Sequence, residues 1–252
     1  MSQVIAIAGK GGSGKSSLAA GLVLQLLASD RRPVLAVDAD PNSTLGYFLG
    51  CEWTETMADI REDREPPTGM SRPDYMALRM QECLAEHDGF DLLVMGRPEG
   101  PGCYCAVNNL LRRELADLTD GYGAVVIDNE AGMEHLSRRT SGGVDALLVA
   151  AQPTRVSLIS AQRVLETARS NGIATGRTIL VLNGVRGEPA PELTAEAEGL
   201  GCDSVLPLPW SEQLWQLSQE GKAVAELDKR SPWCSGVAAA LDVALHEHGT
   251  GG

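Results

Sequence analysis

Nine consecutive residues near the start of the chain carry its strongest chemical signal: Gly9, Lys10, Gly11, Gly12, Ser13, Gly14, Lys15, Ser16 and Ser17. Gly9, Gly14, Lys15 and Ser16 fit the spacing G-x-x-x-x-G-K-[ST]. Glycines at these positions let successive backbone N–H groups curl around phosphate oxygens. A helix that starts where the loop ends adds its partial positive charge to the same oxygens. In such a loop the lysine reaches the β- and γ-phosphates and the serine hydroxyl ligates Mg²⁺. The stretch is therefore expected to bind a nucleotide.

Other residue pairs suggest further chemistry. "DADPNST" places Asp38 and Asp40 at the end of an apolar run, and "VVIDNEAG" places Asp128 at the end of another. Acids at the carboxyl ends of strands beside a glycine loop sit where ligands bind in open α/β sheets. One of them could equally be a helix cap. "EGPGCYCAVNN" sets Cys103 and Cys105 one residue apart in a Gly-Pro-Gly loop. Such a pair could be a metal clamp, a redox couple or inert, and redox pairs of the thioredoxin type have two residues between the thiols. Asn183 ends the run "TILVLN", where no N-K-x-D guanine signature follows, which favours ATP over GTP.

These residues need a frame. Short apolar runs at Val4–Ala8, Pro33–Asp40, Asp91–Met95, Ala124–Asp128, Ala146–Ala151 and Thr178–Asn183 read as buried strands. Helical patterns alternate with them at Ser16–Ser29, "NNLLRRELADL" and "LISAQRVLETARS". Continuous apolar strands alternating with helices predict an α/β fold, a single doubly wound, mostly parallel sheet flanked by helices. We expect one unit over residues 1–248 and a frayed tail over 249–252. The stretch Ala58–Met80, rich in proline and mixed charge, reads as a surface excursion, either solvated or used for docking. "LPLPWSEQL" reads as a turn with a capped helix beginning near Ser211.

Bulk properties exclude several classes. The chain has 252 residues and a net charge of -13, which disfavours binding to nucleic acid or to anionic membranes. No apolar run approaches the length of a membrane span, and no secretory signal is evident, so a cytoplasmic setting is expected. In that setting the six cysteines (51, 83, 103, 105, 202 and 234) should not form structural disulfides.

The second lysine in the loop, Lys10, makes K-G-G-x-G-K-[ST], which resembles the deviant Walker A motif of the ATPase family that includes nitrogenase iron protein, MinD and the arsenite and tail-anchored-protein ATPases. The resemblance implies that Lys10 crosses a homodimer interface toward the partner's nucleotide. It implies that Asp40 activates the attacking water, that Asp38 holds Mg²⁺ through water, and that Asp128 lies near the same ion, with Gly132 letting the second switch respond. It also implies that Asn183 faces adenine and that "LPLPWSEQL" (Leu206–Leu214), with Pro207, Leu208 and Pro209, is the loop wrapping the purine.

Within that family, "GKGGSGKSS", "GPGCYC" and "DNEAGMEHLSR" together resemble the CooC-type ATPases that mature nickel carbon monoxide dehydrogenase. This implies an ATP-dependent metallochaperone with Cys103 and Cys105 as metal ligands. Two thiolates cannot close a tetrahedral site, but a two-fold dimer presents the pair twice and could complete four ligands for Ni²⁺ or Zn²⁺. His135 could add a ligand or simply be packed. The iron–sulfur reductase branch needs a further cysteine after the second switch, and "DNEAGMEHLSRRTSGGVD" has none. The alternative is a MinD- or ParA-like positioning ATPase acting on membrane or DNA. Its amphipathic anchor would need a basic face, and "WCSGVAAALDVALHEHG" carries no lysine or arginine.

Overall fold

The computed structural model describes residues 2–29, 31–62, 66–97, 107, 111, 118–130, 133, 136 and 143–246. Among them is an eight-stranded sheet. In chain order the strands are β1 (Gln3–Gly9), β2 (Val34–Ala39), β3 (Leu84–His87), β4 (Phe90–Val94), β5 (Ala124–Asn129), β6 (Val144–Ala151), β7 (Thr175–Val185) and β8 (Ser204–Pro209). Their order across the sheet is β3-β4-β2-β5-β1-β6-β7-β8, and every pair is parallel except the β3–β4 hairpin.

The helices are α1 (Lys15–Leu27), α2 (Leu45–Leu49), α3 (Met57–Glu62), α4 (Arg72–Glu82), α5 (Arg155–Ser170), α6 (Pro191–Glu198), α7 (Glu212–Glu220) and α8 (Pro232–Leu245). They cover both faces of the sheet. Along β1, Ile5 and Ile7 belong to the core under α1 and α8, while Ala6 and Ala8 belong to the core under α3 and α5. A strand buried on both faces reads as a continuous apolar run, which is why β1, β2, β5 and β6 were legible. On α1, Gly21 lets the ring of Trp233 come so close that a Cβ would stand 2.7 Å from its Cη2.

The excursion over Ala58–Met80 differs from the sequence expectation. It contains most of α3 and of α4, and Ala58, Ile60 and Met80 are buried, as is Met57 just before it. Arg79 bridges Glu55 and Glu82 and so ties α4 to the segment before α3. A few apolar anchors spaced among charged residues hold these helices, which is too sparse a pattern to read from composition. The strand β3 was not expected at all, since "LAEH" is short and half-exposed. "LPLP" belongs to the edge strand β8 rather than to a turn, and prolines are tolerated where no further strand needs their missing N–H. Helix α7 begins as expected, with the Ser211 side chain accepting from Leu214 N. Among the described residues no helix is long and apolar enough to cross a membrane.

Strand order places β1 at the point where the chain switches sides. Strands β2 to β4 lie to one side of β1 beyond β5, and β6 to β8 lie to the other. The crevice outside the carboxyl ends of strands at such a point is where open α/β sheets bind ligands.

Candidate functional site

At that crevice the chain leaves β1, loops through residues 10–14 and enters α1 at Lys15. Gly14 is the N-cap, in left-handed conformation with φ 85°. A side chain there would be strained at this φ, and its Cβ would stand 2.0 Å from Asn183 Nδ2, so the amide would have to move. That amide donates to Ser13 O at 2.9 Å and fastens the loop to β7. Gln152 Nε2 reaches Gly12 O at 3.4 Å from the end of β6. The Ser13 hydroxyl is buried and has no hydrogen-bond partner among the described residues. Lys10, Gly11 and Gly12 are exposed, whereas Lys15 and Ser17 are buried.

Three acids gather beside this loop. Asp38 and Asp128 are register partners on the neighbouring strands β2 and β5, and both are fully buried. They are satisfied very differently. Asp38 Oδ2 accepts from Leu45 N at 2.8 Å and Oδ1 from Asp40 N at 3.2 Å, so its carboxylate shapes the following loop. Neither oxygen of Asp128 has a hydrogen-bond partner among the described residues. Burial pushes Asp38 up to about 7, with the Asp128 charge adding to the shift and the two backbone donors opposing it. Burial likewise pushes Asp128 up to about 6, opposed by nearby Ser16 and then by Lys15. Ser16 lies near enough to favour the Asp128 charge, yet its hydroxyl is 2.8 Å from Thr44 Oγ1 and makes no well-aligned bond to the carboxylate.

Asp40 faces the loop itself. Lys15 Nζ stands 3.6 Å from Asp40 Oδ2, and Asp40 Oδ1 accepts from Asn42 N and Nδ2. Ser43, at φ 50°, tightens the turn that follows. Asn129, next to Asp128, is buried and donates its Nδ2 to Ile7 O and Ile127 O, so its side chain braces β1 against β5.

A cavity of about 640 Å³ joins the loop and Asp40 to the ends of β7 and β8. Gly11 to Ser17, Asp40 and Thr44 line one end; Asn183, Arg186, Pro209 and Trp210 line the other. Of the three residues expected to wrap a base, Pro209 alone lines it. Strand alternation turns Leu208 into the core and leaves Pro207 exposed. Trp210 lies in the stretch Leu206–Leu214 expected to wrap a purine; Arg186 was not anticipated, since a lone arginine in a strand-to-helix turn carries no motif.

The other expected site residues divide. Cys103, Cys105, Gly132 and His135 lie outside the described residues, as do residues 247–252. Among the described cysteines, Cys51 and Cys83 are buried, and burial pushes their thiols up to about 11 and about 12, so they behave as small apolar side chains. Among the described residues no three His, Cys, Asp or Glu side chains form a cluster that could hold a metal ion. A hard cation held by one or two protein oxygens plus phosphate and water needs no such cluster. The orphaned buried carboxylate of Asp128 beside the Ser16 hydroxyl fits that kind of ion.

Comparison with known proteins bears directly on this geometry. The sequence profile of the CobQ/CobB/MinD/ParA nucleotide binding domain matches residues 4–224. The chain belongs to the CobQ/CobB/MinD/ParA family. Within this family it is 39% identical over 225 residues to an uncharacterized ATP-binding protein of Methanocaldococcus jannaschii, covering 86% of this chain and 88% of the relative. It is 33% identical over 190 residues to the carbon monoxide dehydrogenase accessory protein CooC of Rhodospirillum rubrum, covering 68% of this chain and 71% of the relative. Its fold superposes on the cell division ATPase MinD of Pyrococcus furiosus with a TM-score of 0.72, 18% identity, and coverage of 96% and 98% of the two chains. The mostly parallel sheet is thus that of a nucleotide-binding P-loop family.

Proposed function

We propose that this chain is an ATPase of the CobQ/CobB/MinD/ParA family, working as one unit over residues 1–248, that couples ATP hydrolysis to delivery of nickel. The observation that carries the ATPase reading is the cluster of Lys15, Asp40 and the unsatisfied Asp128 around the loop. Phosphates would lie against the backbone N–H groups of Gly11 to Ser16, with Lys15 on the β- and γ-phosphates. Mg²⁺ would be held by Ser16 and Asp128, with Asp38 behind them, and when bound would neutralise phosphate charge.

The Lys15–Asp40 contact suggests how the two ends of the reaction communicate. A γ-phosphate that draws Lys15 away leaves Asp40 Oδ2 without its cation. Asp40 can then accept a hydrogen bond from water and aim it in line at the γ-phosphorus, so that ADP and phosphate leave. Lys10, exposed at the tip of the loop, would serve a second copy of the chain by meeting charge on its transferring phosphoryl group. Asp40→Ala should bind Mg·ATP yet turn it over at least about tenfold more slowly. Equal turnover would remove Asp40 from the mechanism.

The metallochaperone reading rests on the Cys103-x-Cys105 motif and on the likeness to R. rubrum CooC. Two copies sharing one ion would each contribute both thiolates, and the client would be a nickel carbon monoxide dehydrogenase. The test is nickel stoichiometry with and without ATP or ADP, alongside mass by light scattering. About half an ion per protomer, bound by dimers and lost in Cys103→Ser or Cys105→Ser, supports the reading. Nickel binding unchanged in both variants would overturn it. ATP-dependent pelleting with liposomes or DNA would favour a positioning ATPase instead.

A further inference from the structure

Thr44 stands where α2 begins, yet its side chain does nothing for that helix. It is the N-cap residue, and no side-chain hydrogen bond caps the helix. A threonine at an N-cap ordinarily has an extended backbone and accepts from an amide of the first turn. Here Thr44 is helical, at φ -100° and ψ -17°. The amide of Leu45 is met by Asp38 Oδ2 at 2.8 Å instead. Ser43 N donates to Asp40 O at 2.9 Å and Phe48 N to Thr44 O at 3.3 Å, so the backbone is tied on both sides of Thr44.

The hydroxyl spared by this arrangement meets Ser16. Thr44 Oγ1 is 2.8 Å from Ser16 Oγ, and both side chains line the cavity. Thr44 makes no other side-chain hydrogen bond among the described residues. A hydroxyl has one proton and two lone pairs. For Ser16 to act as a cation ligand, a lone pair must face the ion and the proton must point elsewhere. Distance alone lets either hydroxyl of the pair donate. If Thr44 were the donor, the Ser16 proton would fall to the nearby carboxylate of Asp128. Neither oxygen of Asp128 has a hydrogen-bond partner among the described residues. The Ser16 proton therefore belongs to Thr44. One Ser16 lone pair and both Asp128 oxygens are left to a cation. The remaining hydrogen bond of a metal ligand fixes its orientation and raises its basicity.

We propose that Thr44 is a positioning residue for the divalent cation of this site. Its Oγ1 accepts the Ser16 proton, holds the Ser16 oxygen toward the ion and keeps that proton off Asp128. The proposal rests on the nucleotide-binding reading above, with the cation at Ser16 and Asp128. It adds a residue outside the phosphate loop that sets how tightly the ion is held.

Titration calorimetry on the full chain tests it, with ADP and inorganic tripolyphosphate as probes, each with Mg²⁺ and with EDTA. Wild-type protein should bind both probes more tightly with Mg²⁺. Thr44→Val removes the hydroxyl at nearly constant shape and costs no helix cap. It should weaken both probes about tenfold with Mg²⁺ and leave their affinity in EDTA unchanged. Thr44→Ser, which keeps the hydroxyl, should bind as wild type does. Thr44→Val with wild-type or higher affinity in Mg²⁺ overturns the proposal and leaves nucleotide binding standing. Equal losses with Mg²⁺ and with EDTA also overturn it, since the hydroxyl would then serve the loop or the phosphates. So does a loss in Thr44→Ser as large as in Thr44→Val, which would assign the effect to the methyl group. Wild-type protein that binds ADP equally with Mg²⁺ and with EDTA overturns the placement of the cation, and the proposal with it. Wild-type protein that binds neither probe overturns the nucleotide reading itself.

Discussion

The two ends of the cavity are built on different principles. The phosphate end is main chain: a loop between β1 and α1, held by Asn183 and Gln152, with Lys15 buried against Asp40. The end beside β8 is side chain: an arginine on a half-exposed tryptophan, positioned by a bulge and a turn. Main-chain recognition tolerates almost no substitution, because the geometry lies in the φ angles and in the close approach of backbone to ligand. Side-chain recognition can be retuned by one substitution without disturbing the loop.

The contrast can be tested by disturbing the phosphate end and asking whether effects stay local. Lys15→Ala should produce the largest change, about a hundredfold loss of affinity for Mg·ADP and for tripolyphosphate alike. Calorimetry that showed tripolyphosphate unaffected would remove Lys15 from the phosphate end. Gly14→Ala combines strain at φ 85° with a clash against Asn183. It should lower unfolding stability by about 2 kcal/mol in urea melts and weaken Mg·ADP binding by about tenfold.

The buried acids make the phosphate end sensitive to pH. Asp38 and Asp128 titrate near 7 and near 6 in the fold against 3.8 outside it. Between these limits the folded protein holds more protons than the unfolded chain. Without nucleotide, stability should thus be greatest below about pH 4 as far as these groups are concerned, and fall as pH rises toward 7. The slope should not exceed about 1.4 kcal/mol per pH unit for a single proton. Asp128→Asn should flatten this dependence and raise stability at neutral pH, and Mg·ADP should oppose it in the wild type because a cation favours the charged carboxylate. A pH-independent melting temperature across this range would contradict the burial of these charges.

The smallest effect is expected at the seam between the two ends. Asn183→Ala removes one tether of the loop and should cost about 1 kcal/mol of stability, with a weaker loss of affinity for tripolyphosphate than Lys15→Ala. Calorimetry that showed Asn183→Ala as damaging to tripolyphosphate binding as Lys15→Ala would make the tether as important as the lysine.

Sequence by itself determined the sheet's buried strands and the phosphate loop. A strand covered on both faces must be apolar throughout, and a loop that cradles phosphate must have glycine and lysine at fixed spacing, so both leave local marks in "VIAIA" and "GKGGSGKSS". The acids Asp38, Asp40 and Asp128 were legible for the same reason, since each closes such a strand. Their division of labour was not. Only the register of β2 against β5 sets Asp38 beside Asp128, and only the path of the following loop spends both oxygens of the first while the second has no hydrogen-bond partner among the described residues. The helices over Ala58–Met80 were missed because their few anchors, Met57, Ile60 and Met80, meet the sheet from widely spaced positions. The pairing of Arg186 with Trp210 depends on β7 and β8 lying side by side and on one bulge that fixes how the chain leaves β7. Contacts between residues distant along the chain have no local spacing to record them, and packing alone decided them.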